Sequence, residues 1–266
     1  MPKVKIVAEV GCNHDGDLMM AKRTIDAAVI AGADAVKFQM YVTEKINDPS
    51  LHDFLRKTRL STSDHIKLKL HCKAKDTEYL CSAFDTESLL QLCSMGMKTY
   101  KIPSGQIHNK AYLSLAGSFK KKIILSTGMA ELCEIEKALI VLLDAGTKKE
   151  NITLMQCTTA YPVPVHEANI RALETLSQLG TDVGFSDHCI TNEPAIAAVA
   201  MGAKIIEKHF IAFSYLATPD RPVSLDTEQF LCYTQSIRLT EKALGRGGKN
   251  VMPSEKCNLF RRDFRG

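Results

Sequence analysis

Two short segments carry histidines where a buried strand would end: Gly184-Phe185-Ser186-Asp187-His188 and Ile205-Ile206-Glu207-Lys208-His209-Phe210. Side chains two apart on a strand share a face, so Ser186 points with His188 and Glu207 with His209, while Ile206 and Lys208 point the other way. One histidine at a strand end is ordinarily a packed or rim residue. Two on neighbouring strands, each offering a nitrogen lone pair, read as one metal site. Two lysines add a second kind of chemistry. Lys37 sits in Val36-Lys37-Phe38-Gln39 and Lys101 in Tyr100-Lys101-Ile102-Pro103-Ser104-Gly105, both inside apolar runs. A buried ammonium needs an anion beside it. Pairing with Glu9 or Glu207 would satisfy one lysine alone. Two of them, with Ser82, Ser104 and Ser126, offer more donors than those carboxylates need, which points to an anionic substrate carrying phosphate, carboxylate or both.

These residues need a frame that buries strands and exposes their ends. Apolar runs of strand length alternate with helix-period segments, giving eight pairs. The predicted strands are Lys5 to Gly11, Ala35 to Tyr41, Tyr79 to Phe84, Thr99 to Ser104, Lys121 to Thr127, Ile152 to Thr158, Asp182 to His188 and Lys204 to Phe210. Amphipathic helices such as Leu18 to Ala31 and Cys133 to Asp144 lie between them, several closing on a glycine: Gly32, Gly96, Gly146, Gly180 and Gly202. Strands buried on both faces explain the near-continuous apolar runs, and eight βα units predict a closed (β/α)8 TIM barrel of α/β class in a single domain. The alternative is an open doubly wound sheet. It usually begins with a Gly-rich phosphate turn, and none follows the first strand.

The 266 residues can bury a full core without staples. The nine cysteines form no Cys-x-x-Cys pair, which predicts reduced thiols in a cytoplasmic protein rather than a disulfide framework or zinc ribbon. No apolar stretch reaches membrane-spanning length, and the N-terminus runs into strand one without a signal segment, so no membrane role is expected. The net charge of +4 resides in residues 246–266, where six basic side chains face Glu255 and Asp263. The predicted division is therefore a catalytic barrel over 1–245 and a basic tail or linker remnant over 246–266. Without interleaved aromatics or a binding fold, that tail argues for a solvated end, and nucleic acid is not an expected partner.

Barrel enzymes keep their chemistry at the carboxyl ends of the strands. In chain order the polar residues there are Glu9, Asn13 and His14; Lys37 and Gln39; Ser82; Lys101 and Ser104; Ser126 and Thr127; Thr158, Thr159 and Tyr161; Ser186 and His188; Glu207 and His209. Their contexts are Ala8-Glu9-Val10-Gly11-Cys12-Asn13-His14-Asp15-Gly16-Asp17, Ala31-Gly32-Ala33-Asp34-Ala35-Val36-Lys37-Phe38-Gln39, Lys101-Ile102-Pro103-Ser104-Gly105, Ile124-Leu125-Ser126-Thr127-Gly128-Met129, Thr158-Thr159-Ala160-Tyr161-Pro162, Gly184-Phe185-Ser186-Asp187-His188 and Glu207-Lys208-His209-Phe210. In this unbroken order, from about residue 3 to 256, the chain resembles the N-acetylneuraminate (sialic acid) synthase family.

The resemblance implies a transferase that condenses phosphoenolpyruvate with the aldehyde of an N-acylated amino sugar, giving a nonulosonic acid and phosphate. It implies that His188 and His209 bind a divalent metal, Mn²⁺ or Mg²⁺. Lys37 and Ser82 would hold the carboxylate of phosphoenolpyruvate, and Lys101, Ser104 and Ser126 its phosphate. Gln39, Tyr161 and Asp220 would face the sugar, with Thr159 and Ser186 also among the substrate-binding positions. Glu9, Glu207 and Lys101 would be the catalytic groups, with the choice between the two glutamates as acid/base left open. Where the family often has Asn, Pro and Glu, this chain has Thr159, Ala83 and Gln106. Family members commonly carry a C-terminal antifreeze-like domain that completes the site across a dimer. Here the expectation is the catalytic barrel alone, with closure and homodimerisation left open. Two other readings remain: a 3-deoxy sugar acid synthase acting on a different, phosphorylated aldose, with Arg221 as the obvious extra basic residue, and a non-catalytic sugar- or phosphoenolpyruvate-binding barrel. The loops Val42 to Ser61 and Ile211 to Ser224 are expected to select the sugar.

Overall fold

The computed structural model describes residues 3–262. Eight parallel strands close into a barrel in sequence order: β1 (Lys5–Gly11), β2 (Ala35–Met40), β3 (Glu78–Ala83), β4 (Thr99–Ile102), β5 (Lys122–Ser126), β6 (Ile152–Gln156), β7 (Asp182–Asp187) and β8 (Ile205–His209). β8 returns to pair with β1. Around it lie α1 (Leu18–Ile30), α2 (His52–Thr58), α3 (Thr62–Ala74), α4 (Thr86–Ser94), α5 (Lys110–Ser118), α6 (Leu132–Asp144), α7 (Ala172–Ser177), α8 (Glu193–Ala200) and α9 (Thr227–Ala243). The closed barrel is the fold the sequence predicts. Strand ends move by one or two residues, so that His188 falls just beyond β7. The β2 loop is more structured than expected, since 3-10 turns and α2 occupy it.

The helices form where capping and apolar spacing agree. Asp17 caps α1 through the Met20 amide, and Asp85 caps α4 through Ser88. Ile135, Ala138, Leu139 and Leu142 recur at three- and four-residue steps to give α6 its buried stripe. After α6 the chain turns at Gly146, whose φ of 105° suits a residue without Cβ.

Inside the barrel, a two-residue period converts sequence into depth. Val7, Ala35, Leu80, Ile124, Met155 and Ile205 form an apolar floor. Gly184 makes room for it, because a Cβ there would lie 2.4 Å from Met155 Sδ. One step along the same inner faces come Glu9, Lys37, Ser82, Ser126 and Glu207, and a further step brings Gln39 and His209. The outward faces pack on the helices in a separate, larger core that includes Ile6, Val36, Phe38, Cys81 and Phe185. Residues 246–262 are exposed, and Asp263, Arg265 and Gly266 of the basic tail lie outside the described residues. Among the described residues no helix is long and apolar enough to cross a membrane.

Candidate active site

Every residue to which the resemblance gives a metal-binding, substrate-binding or catalytic role lines one cavity of about 270 Å³ at the carboxyl end of the barrel. At its base the two lysines and two glutamates are interlocked. Lys101 Nζ donates to both oxygens of Glu207 at 2.8 and 2.9 Å. Lys37 Nζ lies 3.1 Å from Glu9 Oε2 and 3.3 Å from Glu207 Oε1, and donates to Ser82 Oγ at 3.0 Å. Ser186 Oγ donates to Glu207 at 3.1 Å, and Gln39 Nε2 to Glu9 Oε1 at 2.8 Å. The four charged side chains are buried and sum to zero. This revises the sequence argument: the lysines are not unpaired. An anion that took Lys101 as a partner would have to compete with Glu207 for it.

The electrostatics separate these four groups. Burial pushes the Glu207 carboxyl up, but Lys101 and Lys37 together outweigh it and hold this carboxyl well below the usual range. For Glu9, burial prevails over the attraction of Lys37, and its affinity for a proton is raised. Burial would strip the proton from Lys37, yet Glu207 and Glu9 reverse the effect and raise it. Lys101 shows the opposite balance, with burial lowering it despite Glu207. Glu207 has its hydrogen-bonding capacity taken by Lys101 and Ser186, whereas Glu9 Oε2 has no hydrogen bond although Lys37 stands beside it.

Above this layer His188 and His209 face each other with ring centroids 5.5 Å apart. His188 Nδ1 is 2.9 Å from the Thr158 carbonyl, an acceptor that fixes the hydrogen on Nδ1 and leaves Nε2 with a free lone pair that could hold a cation. His209 Nδ1 is buried without a hydrogen-bond partner and lies 3.7 Å from Asp220 Oδ2. Burial lowers both imidazoles to about 4, with His209 adding to the effect on His188, so both are neutral at pH 7, the form in which an imidazole can bind a metal. Two neutral imidazoles, one with an orphaned nitrogen, fit a divalent cation. No group of three or more His, Cys, Asp or Glu side chains gathers in ligating geometry among the described residues.

The rim brings in the rest. Tyr161 packs tilted against His188, ring centroids 4.3 Å apart, while remaining 49% exposed. Asp220, from the segment after β8, meets β1 where that strand bulges: β1 skips a residue against β2 between Glu9 and Gly11, and Gly11 adopts φ 54°. A Cβ at Gly11 would lie 2.4 Å from Asp220 Oδ2. Ser104 Oγ accepts from the Gly128 amide at 3.0 Å and touches Cys157 Sγ at 3.3 Å, beside exposed Thr159.

Other polar strand-end residues do not enter the cavity. Asn13 ties the first loop to the last through Phe210 O and Ser224 Oγ, and His14 is buried against Phe38. The lining also includes Phe84, Pro103, Gly105, Met129 and Cys157, which the sequence reading passed over. For Cys157 a signal was present, since it stands two residues beyond the inward-facing Met155.

Comparison with known proteins follows this geometry. The NeuB family profile matches residues 24–249. The chain is 41% identical to the N,N'-diacetyllegionaminic acid synthase of Campylobacter jejuni, over 97% of this chain and 83% of that protein. It is 32% identical to the pseudaminic acid synthase of Helicobacter pylori, over 98% and 82% respectively. The N-acetylneuraminic acid synthetase of Leptospira borgpetersenii, solved with citrate, superposes with a TM-score of 0.90 at 31% identity, covering 98% of this chain and 92% of that one. The likeness that the motifs announced is therefore borne out across nearly the whole barrel, and the chain belongs to the NeuB family.

Proposed function

We propose that the protein condenses phosphoenolpyruvate with the aldehyde of an N-acylated amino sugar, producing a nonulosonic acid and inorganic phosphate. The observation that carries this reading is the buried ring of charges around the barrel, in which Lys37 bridges Glu9 and Glu207 and Lys101 pairs with Glu207, beneath two neutral histidines in a chain of this family. Lys37 and Ser82, already 3.0 Å apart, receive the carboxylate of phosphoenolpyruvate. Lys101, Ser104 and Ser126 receive the phosphate. Gln39, Thr159, Tyr161 and Asp220 meet the sugar nearer the mouth.

In the reaction, C3 of phosphoenolpyruvate forms a bond to the aldehyde carbon, and the carbonyl oxygen becomes a hydroxyl. Water adds at C2, and the resulting hemiketal phosphate expels phosphate to leave a ketone. His188 and His209 would hold a divalent cation, Mn²⁺ or Mg²⁺, whose chemistry there is Lewis-acid polarisation of the aldehyde. Glu9, with one oxygen free of hydrogen bonds, takes the proton of the attacking water. Glu207 orients Lys101 and Lys37, and Lys101 follows the phosphate as its negative charge grows. All nine cysteines are free, which supports work in the reducing cytoplasm.

The relative at 41% identity is named for an N,N'-diacetyl product, so a diacylated amino sugar is the first acceptor to try. The test is phosphate release from phosphoenolpyruvate with a panel of N-acylated and phosphorylated aldoses, with and without Mn²⁺. Turnover confined to N-acylated sugars and dependent on Mn²⁺ is expected. Turnover only with phosphorylated aldoses would replace this reading by a 3-deoxy sugar acid synthase, and none at all would leave a binding barrel.

A further inference from the structure

The proposed chemistry uses the inward faces of β7 and β8, while their outward faces carry a charge network it leaves unused. Asp187 and Lys208 are fully buried on the α9 side of the barrel wall. They are register partners on the last rung of the β7–β8 ladder, and Lys208 Nζ lies 3.3 Å from Asp187 Oδ2. Tyr233 of α9 donates its hydroxyl to the same oxygen at 2.9 Å, and Lys208 Nζ sits 5.7 Å from the centroid of its ring.

The network reaches past the strand end. Asp187 Oδ1 accepts from the Cys189 amide at 2.9 Å, and Lys208 Nζ donates to the Cys189 carbonyl. Both backbone groups of Cys189 are thus held, one by β7 and one by β8. His188 is the residue between Asp187 and Cys189, and His209 directly follows Lys208. Where the ladder stops, these side-chain bonds continue it around the two histidines. A buried ion pair is a poor source of stability compared with apolar packing, but its directional bonds define one geometry.

We propose that Asp187, Lys208 and Tyr233 are positioning residues that hold His188 and His209 facing one another. The inference rests on the reading of those histidines as ligands of a divalent cation. None of the three needs to touch the cation or the substrates. Their effect passes through the backbone of the turn after β7 and the end of β8.

The test is Mn²⁺ affinity of the full chain, measured by electron paramagnetic resonance of free Mn²⁺ at a temperature well below melting, with Tm recorded alongside. Asp187→Asn/Lys208→Met removes both charges at once and leaves neither buried alone. This double variant is expected to bind Mn²⁺ at least tenfold more weakly than the wild type while still folded, in line with the roughly 10- to 100-fold effects of groups that orient metal ligands. Tyr233→Phe, which keeps the ring and loses one hydrogen bond, is expected to weaken binding severalfold, and it decides the matter alone if the double variant does not fold. Mn²⁺ affinity within twofold of the wild type in the folded variants overturns the positioning role and leaves the metal site standing, whatever Tm does. A wild-type chain that binds no Mn²⁺ removes the metal reading and this proposal with it.

Discussion

Lys101→Met separates substrate binding from stability in a way that tests the interlocked ring. In the free protein Lys101 makes two charge-assisted hydrogen bonds to Glu207, but burial outweighs that attraction and disfavours its charge. Methionine removes the desolvated ammonium, and Glu207 keeps Lys37 at 3.3 Å and Ser186 at 3.1 Å, so no carboxylate is abandoned. The melting temperature without ligand is therefore expected to hold or rise. With phosphoenolpyruvate bound, the same change deletes the donor proposed for its phosphate. A hydrogen bond to a charged group contributes about 1.5 to 3 kcal/mol, so the dissociation constant should rise by roughly tenfold to 150-fold. Calorimetric titration with phosphoenolpyruvate, sugar kinetics and thermal melting measure the three quantities. Equal weakening toward both substrates would refute the assignment of Lys101 to the phosphate, and a collapse in melting temperature would refute the claim that Lys37 and Ser186 suffice for Glu207.

His188→Ala or His209→Ala should abolish Mn²⁺-dependent phosphate release while leaving the circular dichroism spectrum intact, because both rings lie above the apolar floor; metal-dependent rates near normal in either variant would dismiss the site. Gly128→Ala would place a Cβ 2.3 Å from Thr159 Oγ1 and 3.0 Å from Ser104 Oγ, so it should raise the Michaelis constants for both the sugar and phosphoenolpyruvate, each about tenfold, and unchanged constants for both would dismiss the proposed roles of Thr159 and Ser104. His14 and His65 are buried and neutral, each lowered by burial to about 4 from 6.5. Their stabilising contribution is complete above pH 6.5 and is lost as pH falls toward 4, about 2 kcal/mol for each at pH 5, and urea melts of wild type and His65→Gln at pH 8 and pH 5 should show the variant losing less. Truncation after Asn250 removes residues 251–266, of which the described ones, 251–262, are all exposed, so Tm should move by less than about 2 °C, corresponding to under 0.5 kcal/mol.

The period-two arithmetic of β-strands made much of this site legible before any coordinates. Reading every second residue of β1, β2, β7 and β8 gives Glu9, Lys37 with Gln39, Ser186 and Glu207 with His209, and a parallel barrel sends all of them to one mouth. Two things escaped. Pairing within the ring depends on how strands stagger around the barrel, so the sequence could suggest that the lysines met Glu9 or Glu207 but not that Lys37 spans both. The second is the outward network: strand alternation puts Lys208 on the face away from the cavity, yet its partner Tyr233 lies some two dozen residues later on α9, and only the packing of that helix brings them together. Asp220 was legible as a motif residue, but the bulge that it meets depends on the backbone of Gly11.

The apolar floor beneath the charged ring makes the barrel a blind well. Val7, Ala35, Leu80, Ile124, Met155 and Ile205 close the lower end, so both reactants enter and both products leave by the same opening. Under the proposed roles, the groups that receive phosphoenolpyruvate lie deepest, and those that meet the sugar lie toward the rim. A sugar seated first would block the way down. The kinetic mechanism is then sequential and ordered, with phosphoenolpyruvate entering before the sugar, and a dead-end sugar analogue should be uncompetitive against phosphoenolpyruvate.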